Sequence, residues 1–425
     1  MNIFDQLLAD NQIPKFVRVR HEMDHSHIDD IEGAVAQAMR REGTLDRIKP
    51  GDSVCITAGS RDVANIARVI RAICDQVKSV GAHPFIIPAM GSHAGAKAEG
   101  QRGIIEGYGV TEEAMGAPIR ASMDTEVIAH SKSGLEIHLD KFANAADFLI
   151  PVGRIKAHTD FRGEVESGIC KMLVIGMGKQ HGAYQCHKLG FKSMAANVKE
   201  FAGAIIEKKP NMFAIGLIEN AYHQTCRIEA IPAGRILEEE PPLLEYAKSR
   251  MAKVPFDQAD ILFVDETGKD ISGAGMDPNV TGRSPVLGIS RPFFQRIAVF
   301  DLTDKSHGNF GGLGSADVTT QRLYRKIDFE QTYPNGITAA EPLAVRLPVI
   351  MPSDRTAMQF ALRTATDCDW SKGPRIVWLK NTLSLSEFYI SEALIPDAEA
   401  LDNVTVVSEP MDVIFDEEGN VKELR

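Results

Sequence analysis

The feature that most constrains the fold is an alternation, kept up along the chain, of short apolar runs rich in β-formers with segments of helical period. Such alternation predicts α/β layers on mainly parallel sheets rather than a sandwich or a bundle. Residues 53–57 read as a strand, the loop AGSRD follows, and a helix over about 63–80 carries apolar residues at Val63, Ile66, Val69, Ile70 and Ile73. Residues 84–90 read as the next strand, which runs into GSHAG and a helix near 96–108. His93 therefore stands where a strand hands over to a helix, the edge at which open α/β sheets bind ligands. Extended pieces near 126–129 and 135–139 precede a strand, ADFLIPV at 146–152, and the loop GRIKAHTDFRGEVESG puts His158 at a second strand's exit. Lys171 opens the apolar run KMLVIGMG. His181 and His187 come next, followed by a helix over 192–207, strands at 212–218 and 227–231, and a helix over 242–251.

A length of 425 residues exceeds what one core usually spans. The connector VPFDQAD divides the chain into two expected α/β domains, 1–255 and 256–425, with the active site expected in the cleft between them. The second half reads as strands at 261–264, 296–302 and 375–379, helices at 317–327 and 354–366, and an extended acidic stretch at 404–421. Lys and Arg number 47 against 58 Asp and Glu, a net charge of -11 with no like-charge block, which excludes nucleic acid and anionic membrane as partners. The acidic start MNIFDQLLADNQIPKF is unlike a signal peptide, and no window approaches the ~18 apolar residues of a membrane span. A soluble, cytoplasmic protein is expected. Six cysteines without a C-x-x-C pair read as reduced, mostly structural thiols.

A lysine at the head of an apolar run is costly to bury alone, so Lys171 is either exposed at a loop end or held for chemistry. Its company favours chemistry: His158 lies 13 residues before it and His187 16 after, in a Gly-rich stretch that lets a flat ligand approach the backbone. Cys170, His181, Cys186 and His187 raise a zinc site as a rival, although their spacing matches none of the usual patterns. A single histidine completing a metal held mainly by a cofactor stays open. GGLG at 311–314 and SGAG at 272–275 lack the strand-GxGxxG-helix context of a dinucleotide site.

GSRD at 59–62, GSH at 91–93, VGRIKAH at 152–158, SGICKMLVIG at 167–176 and His187 together resemble the nickel-dependent lactate racemase family, in order and rough spacing along most of the N-terminal domain. The resemblance implies nickel in a nickel-pincer nucleotide, a pyridinium mononucleotide with sulfur groups, joined to Lys171 through a thioamide. It implies His187 as the fourth nickel ligand, with Gly168 and Gly176 in the cofactor-binding stretch. Imidazole and soft sulfur in a planar arrangement suit Ni(II). His93 and His158 correspond to the family's two acid/base histidines, one for each enantiomer, and imidazole serves both protonation states near neutral pH. The implied activity is racemisation or epimerisation at C2 of a small 2-hydroxy acid by hydride transfer to the cofactor, with cofactor-biosynthesis enzymes as partners. Arg61 corresponds to an arginine that clamps the substrate carboxylate; alone it would read as a surface arginine.

Departures from the lactate enzymes fall at Ala58, Gly275 and Pro278, where those have polar groups. The loop between His158 and Lys171 is also longer and carries Arg162, Glu164 and Glu166. These differences point to a more hydroxylated substrate, such as a sugar acid, with Lys269, Asp270 and Arg283 as candidate contacts. Two other readings use the same residues: a zinc-dependent hydrolase or lyase, and a non-catalytic small-molecule-binding homologue.

Overall fold

The computed structural model describes residues 3–60, 63–284, 291–339 and 341–425. It forms two compact α/β units, Asp24–Met251 and Met1–Met23 with Ala252–Arg425. In the first, strand Ser53–Ala58 lies between His83–Pro88 and Phe148–Ile150, all parallel. Pro151, which has no N–H to give a ladder, splits the expected strand 146–152. The second piece, Val152–Arg154, pairs in parallel with Phe213–Glu219, which pairs antiparallel with Thr225–Pro232.

Alternate residues of these strands feed two cores, the mark of a sheet covered on both faces. Val54, Ile56, Ile86, Phe148 and Ile150 join the core of helix Ile66–Ser79, whose Val69, Ile70, Ile73 and Val77 are buried. Cys55, Phe85, Ile87 and Leu149 join the opposite core, with helices Phe191–Lys208 and Ile236–Arg250. The latter helix begins at Ile236 rather than 242, taking Pro241 and Pro242 into its second turn.

The second unit holds an eight-stranded sheet. Val349–Met351, Val318–Thr320, Phe293–Leu302, Gln258–Thr267 and Ile376–Leu379 run parallel, and Glu387–Ser391, Phe16–His21 and Val404–Val406 continue it antiparallel. The division therefore departs from 1–255 and 256–425. Strand Phe16–His21 is hydrogen-bonded on both sides within this sheet, and Phe16, fully buried, meets the Trp378 ring at 5.1 Å. The stretch 404–421 also belongs here. Residues 317–327, expected as one helix, are a strand followed by the short helix Gln321–Arg325, because Val318 and Thr319 take parallel partners on both sides and Thr320 on one. Among the described residues, no helix is long and apolar enough to cross a membrane.

Candidate active site

Strands Ser53–Ala58, His83–Pro88 and Val152–Arg154 send their carboxyl ends to one edge, and the segment that begins at Lys171 packs across it. A Cβ on Gly176 would lie 2.9 Å from the Ala89 carbonyl oxygen, and one on Gly91, at φ +62°, 3.2 Å from Ile175 Cγ2. Lys171 ends the short helix Ile169–Lys171 and opens a π-turn, Met172–Gly176, in which the Met177 N–H reaches the Met172 carbonyl at 2.9 Å. π-Turns concentrate at functional sites. The helix start is held from outside: Glu240, wholly buried, accepts from the Cys170 N–H at 2.9 Å. A Cβ on Gly168 would fall 2.0 Å from Glu240 Oε1. Gly168 and Gly176 thus let protein segments close on one another, instead of leaving room for a ligand above their own Cα atoms.

Lys171 Nζ lies 2.7 Å from His158 Nε2. His158, with a side chain 11 % exposed, is held well below the usual imidazole pKa, first by burial and then by Lys171 and His187. His187 is lowered as well, by burial and by Lys171, against a hydrogen bond from its Nδ1 to the Ala183 carbonyl at 2.8 Å. That bond fixes the His187 proton on Nδ1 and leaves Nε2 with its lone pair, the state a metal ligand needs. Three of the expected residues, Lys171, His158 and His187, are therefore brought together.

Glu166 fixes the His158 loop. It is fully buried, accepts from the His158 N–H at 2.7 Å and from Arg162 at 3.3 Å, and pairs with Lys248 Nζ at 3.0 Å. Arg162 also donates to the His158 carbonyl, while Glu164 pairs with Lys199 at the surface. Arg162 and Glu166, expected to meet a hydroxylated substrate, are thus engaged in holding their own loop, and Glu164 in a surface pair. Gly275 and Pro278 likewise open no space: Pro278 is buried, and a Cβ on Gly275 would meet the Gly311 carbonyl oxygen at 2.6 Å.

His93 is exposed on the neighbouring strand exit and caps a turn in which Ala94, Gly95 and Ala96 all have positive φ. Two non-glycine residues there carry strain of ~1–2 kcal/mol each. Buried Gln101 clamps this loop through the carbonyls of Gly91, at 2.8 Å, and His93, at 3.3 Å. Arg61 lies outside the described residues. In the second unit, Lys269 Nζ donates to the Gly273 carbonyl at 2.6 Å, and Asp270 Oδ1 accepts from Thr303 at 2.5 Å, beside the carboxyl end of strand Gln258–Thr267. Arg283 is a correction. Its guanidinium is committed to Asp317 and to the carbonyls of Phe294, Gln295 and Ser315, at the opposite end of the strands, where it braces the sheet.

Sequence reasoning missed Glu240, Gln101 and the Lys179–Asp140 pair. Lys179 is fully buried at φ +54°, donates to the Pro88 carbonyl and lies 3.2 Å from Asp140, tying the Lys171 segment to a strand exit. Burial lowers the Lys179 pKa and raises that of Asp140. A lysine in the Gly-rich run MGKQHG gives no sequence sign of such a position. The zinc reading finds no support in the thiols. Cys170 is pushed well above the ordinary thiol range, by burial and by Glu240, and Cys186, pushed up to about 12 chiefly by burial, packs on Met194 Sδ at 3.7 Å. Among the described residues no group of three or more His, Cys, Asp or Glu could hold a metal ion, and His181 stacks on His138 at 5.6 Å. A metal held mainly by a cofactor needs one protein ligand only, and His187 Nε2 with an amine nearby at Lys171 fits that demand.

These features define a two-unit α/β protein with a lysine and two histidines at a sheet's carboxyl edge. In fold the chain is similar to the lactate racemase apoprotein from Thermoanaerobacterium thermosaccharolyticum, with a TM-score of 0.51 and 16% identity over 86% of this chain and 93% of that one. The glycosyltransferase SsfS6 from Streptomyces sp. SF2575 superposes with a TM-score of only 0.17 at 7% identity, over 74% of this chain and 94% of that one, and carries no argument. No family model and no curated protein matches the chain.

Proposed function

We propose that this chain is a racemase or epimerase inverting C2 of a small 2-hydroxy acid. Lys171 is the attachment point of a nickel-pincer nucleotide, and His187 ligates nickel through Nε2. The observation that carries the reading is the contact of Lys171 Nζ with His158 Nε2 at 2.7 Å, beside a His187 whose tautomer is fixed for ligation. When bound, the cofactor supplies the acceptor and donor for the hydrogen at C2. The chain supplies proton transfer and position. His158 and His93 exchange a proton with the substrate hydroxyl, one for each hand of the substrate. Arg61 binds the substrate carboxylate, and Lys269 with Asp270 are retained as substrate contacts. A 2-hydroxy acid, without a preference for sugar acids, is the substrate class, since Arg162 and Glu166 hold the loop and Glu164 pairs with Lys199 at the surface.

Intact-mass analysis after co-expression with cofactor-making enzymes tests this. The wild type should gain the mass of the thioamide-linked nucleotide, bind one nickel and lose optical activity from a single enantiomer. Lys171→Ala should do none of these while remaining folded. An unmodified wild type, or stoichiometric zinc without an adduct, would overturn the reading.

A further inference from the structure

Which ring nitrogen of His158 carries the proton follows from its two neighbours. The Asp160 backbone N–H donates to His158 Nδ1 at 2.9 Å, so Nδ1 offers a lone pair. A neutral imidazole with a lone pair on Nδ1 has its proton on Nε2. That Nε2–H faces Lys171 Nζ at 2.7 Å, and an ammonium group has three donors and no acceptor. The contact is a hydrogen bond only if Nζ is an amine whose lone pair points at His158. The opposite arrangement, a charged lysine donating to Nε2, would put the proton on Nδ1 against the Asp160 N–H. The Asp160 carboxylate at 3.7 Å is too far to accept it in this state. Among the described residues, the other charged or titratable groups acting on His158 are His187, Arg162 and Lys156, all of which disfavour a second proton on the ring.

From this we infer that His158 holds Lys171 as a neutral, nucleophilic amine in the unmodified chain, making Lys171 an acylation site at neutral pH before any cofactor is attached. His158 thereby gains a second task, preparation of the attachment site. The inference rests on the proposed function only for the identity of the natural acyl donor. With a thiocarboxylic acid, the Nζ lone pair attacks the thiocarboxyl carbon, the N–C bond forms, and the C–O bond breaks. The departing hydroxyl leaves as water with one proton from Nζ, and nothing is oxidised or reduced. Glu240 at the helix start and Glu166 under the His158 loop keep the two nitrogens in register.

The test uses the full chain made without cofactor-biosynthesis enzymes and trace amounts of acetic anhydride, which forms the N–C bond and releases acetate. Peptide mass mapping gives the acetylation rate of each lysine at pH 7 and pH 10. The ratio of the two rates cancels the effect of burial on access. An ordinary lysine, with a pKa of about 10.4, loses nearly all its reactivity at pH 7. The Lys171 ratio should exceed that of the exposed Lys188 at least tenfold, and should fall toward it in His158→Ala. Should that variant not fold, the wild-type ratio decides alone. A Lys171 ratio equal to or below that of Lys188 overturns the inference. High reactivity in a protein that never loads the nucleotide upholds the inference while the cofactor reading fails. An active, loaded racemase with an ordinary Lys171 ratio refutes the inference alone.

Discussion

The carboxyl edges of the two parallel sheets carry groups of opposite kind. In Asp24–Met251 the edge collects nitrogen bases, His158, His187 and Lys171, and burial drives both imidazoles down. In the other unit it collects carboxylates. Asp265 is pushed up to about 7, mainly by burial, against a hydrogen bond from Trp378 Nε1 at 2.6 Å. Asp354 is pushed up to about 6 by burial, against a bond from the Val421 N–H at 2.9 Å and the charge of Arg322. Arg322 reaches both Asp354 oxygens at 3.1 Å, and Lys326 reaches Asp301 at 3.0 Å. Both edges hold perturbed groups, and perturbation alone therefore marks no site. What separates them is matching: each carboxylate meets a donor, whereas His158 Nε2–H meets a lysine that must give up its proton to accept.

The largest test of that contrast is Glu166→Gln. The amide oxygen can still accept from the His158 N–H and from Arg162, but the NH2 group, in the place of Oε1, then faces Lys248 Nζ and the Gly163 N–H, donor against donor. Lys248 is partly exposed and can swing toward water, so the stability loss should be about 1–3 kcal/mol by urea titration. The His158 ring would shift relative to Lys171, and misplacement by about 1 Å can cost ~100-fold in rate. Racemisation should drop on that order through kcat more than KM, with the Lys171 acetylation ratio falling alongside. Activity within threefold of wild type would mean that Glu166 does not hold the loop in register.

Asp265→Asn probes the other edge and should show the opposite sign. A carboxyl raised from about 4 to about 7 is protonated in the folded chain and ionised in the unfolded one across that window. Stability then declines as pH rises from 4 to 7 and is flat above. Asparagine keeps an acceptor for Trp378 Nε1–H without the ionisation. The variant should be more stable than wild type by roughly 1–3 kcal/mol at pH 8 and by little near pH 4, with racemisation unchanged. A destabilised variant at pH 8 would show that the charged carboxylate is what the second edge needs.

How far the sequence carries depends on the range of the forces involved. Strands Ser53–Ala58 and His83–Pro88 are readable because burial on both faces demands nearly unbroken apolar runs. His158 and Lys171 are readable as a pair because chemistry-bearing types so close to apolar runs are costly without a purpose. The rest is set at a distance. Phe16–His21 becomes a strand only because Glu387–Ser391 and Val404–Val406 supply its ladders. Lys179 is buried because Asp140 and Pro88 wait for it, and Glu240 acts on a helix start 70 residues upstream. Arg283 was a candidate substrate contact, yet its acceptors are carbonyls and one aspartate at the far end of the strands.

The smallest expected effect concerns the same loop as the largest. Glu164 has a side chain 66% exposed and pairs with Lys199 at the surface, whereas Glu166 has no exposure at all. Exposed ion pairs contribute little, since water screens the charges and the side chains lose freedom in meeting. Glu164→Ala should therefore change stability by less than about 0.5 kcal/mol. Its kcat/KM ratio between a methyl-tailed acid such as lactate and a polyhydroxylated acid should stay within about twofold of wild type. The second quantity is the sharper one. A site residue that hydrogen-bonds a substrate hydroxyl discriminates by far more than twofold when removed, because its partner is left unpaired. A marked loss of preference for the polyhydroxylated acid would make this loop a reader of substrate hydroxyls. Without it, Glu164 and Glu166 stand apart as a solvated surface charge and a buried strut for His158.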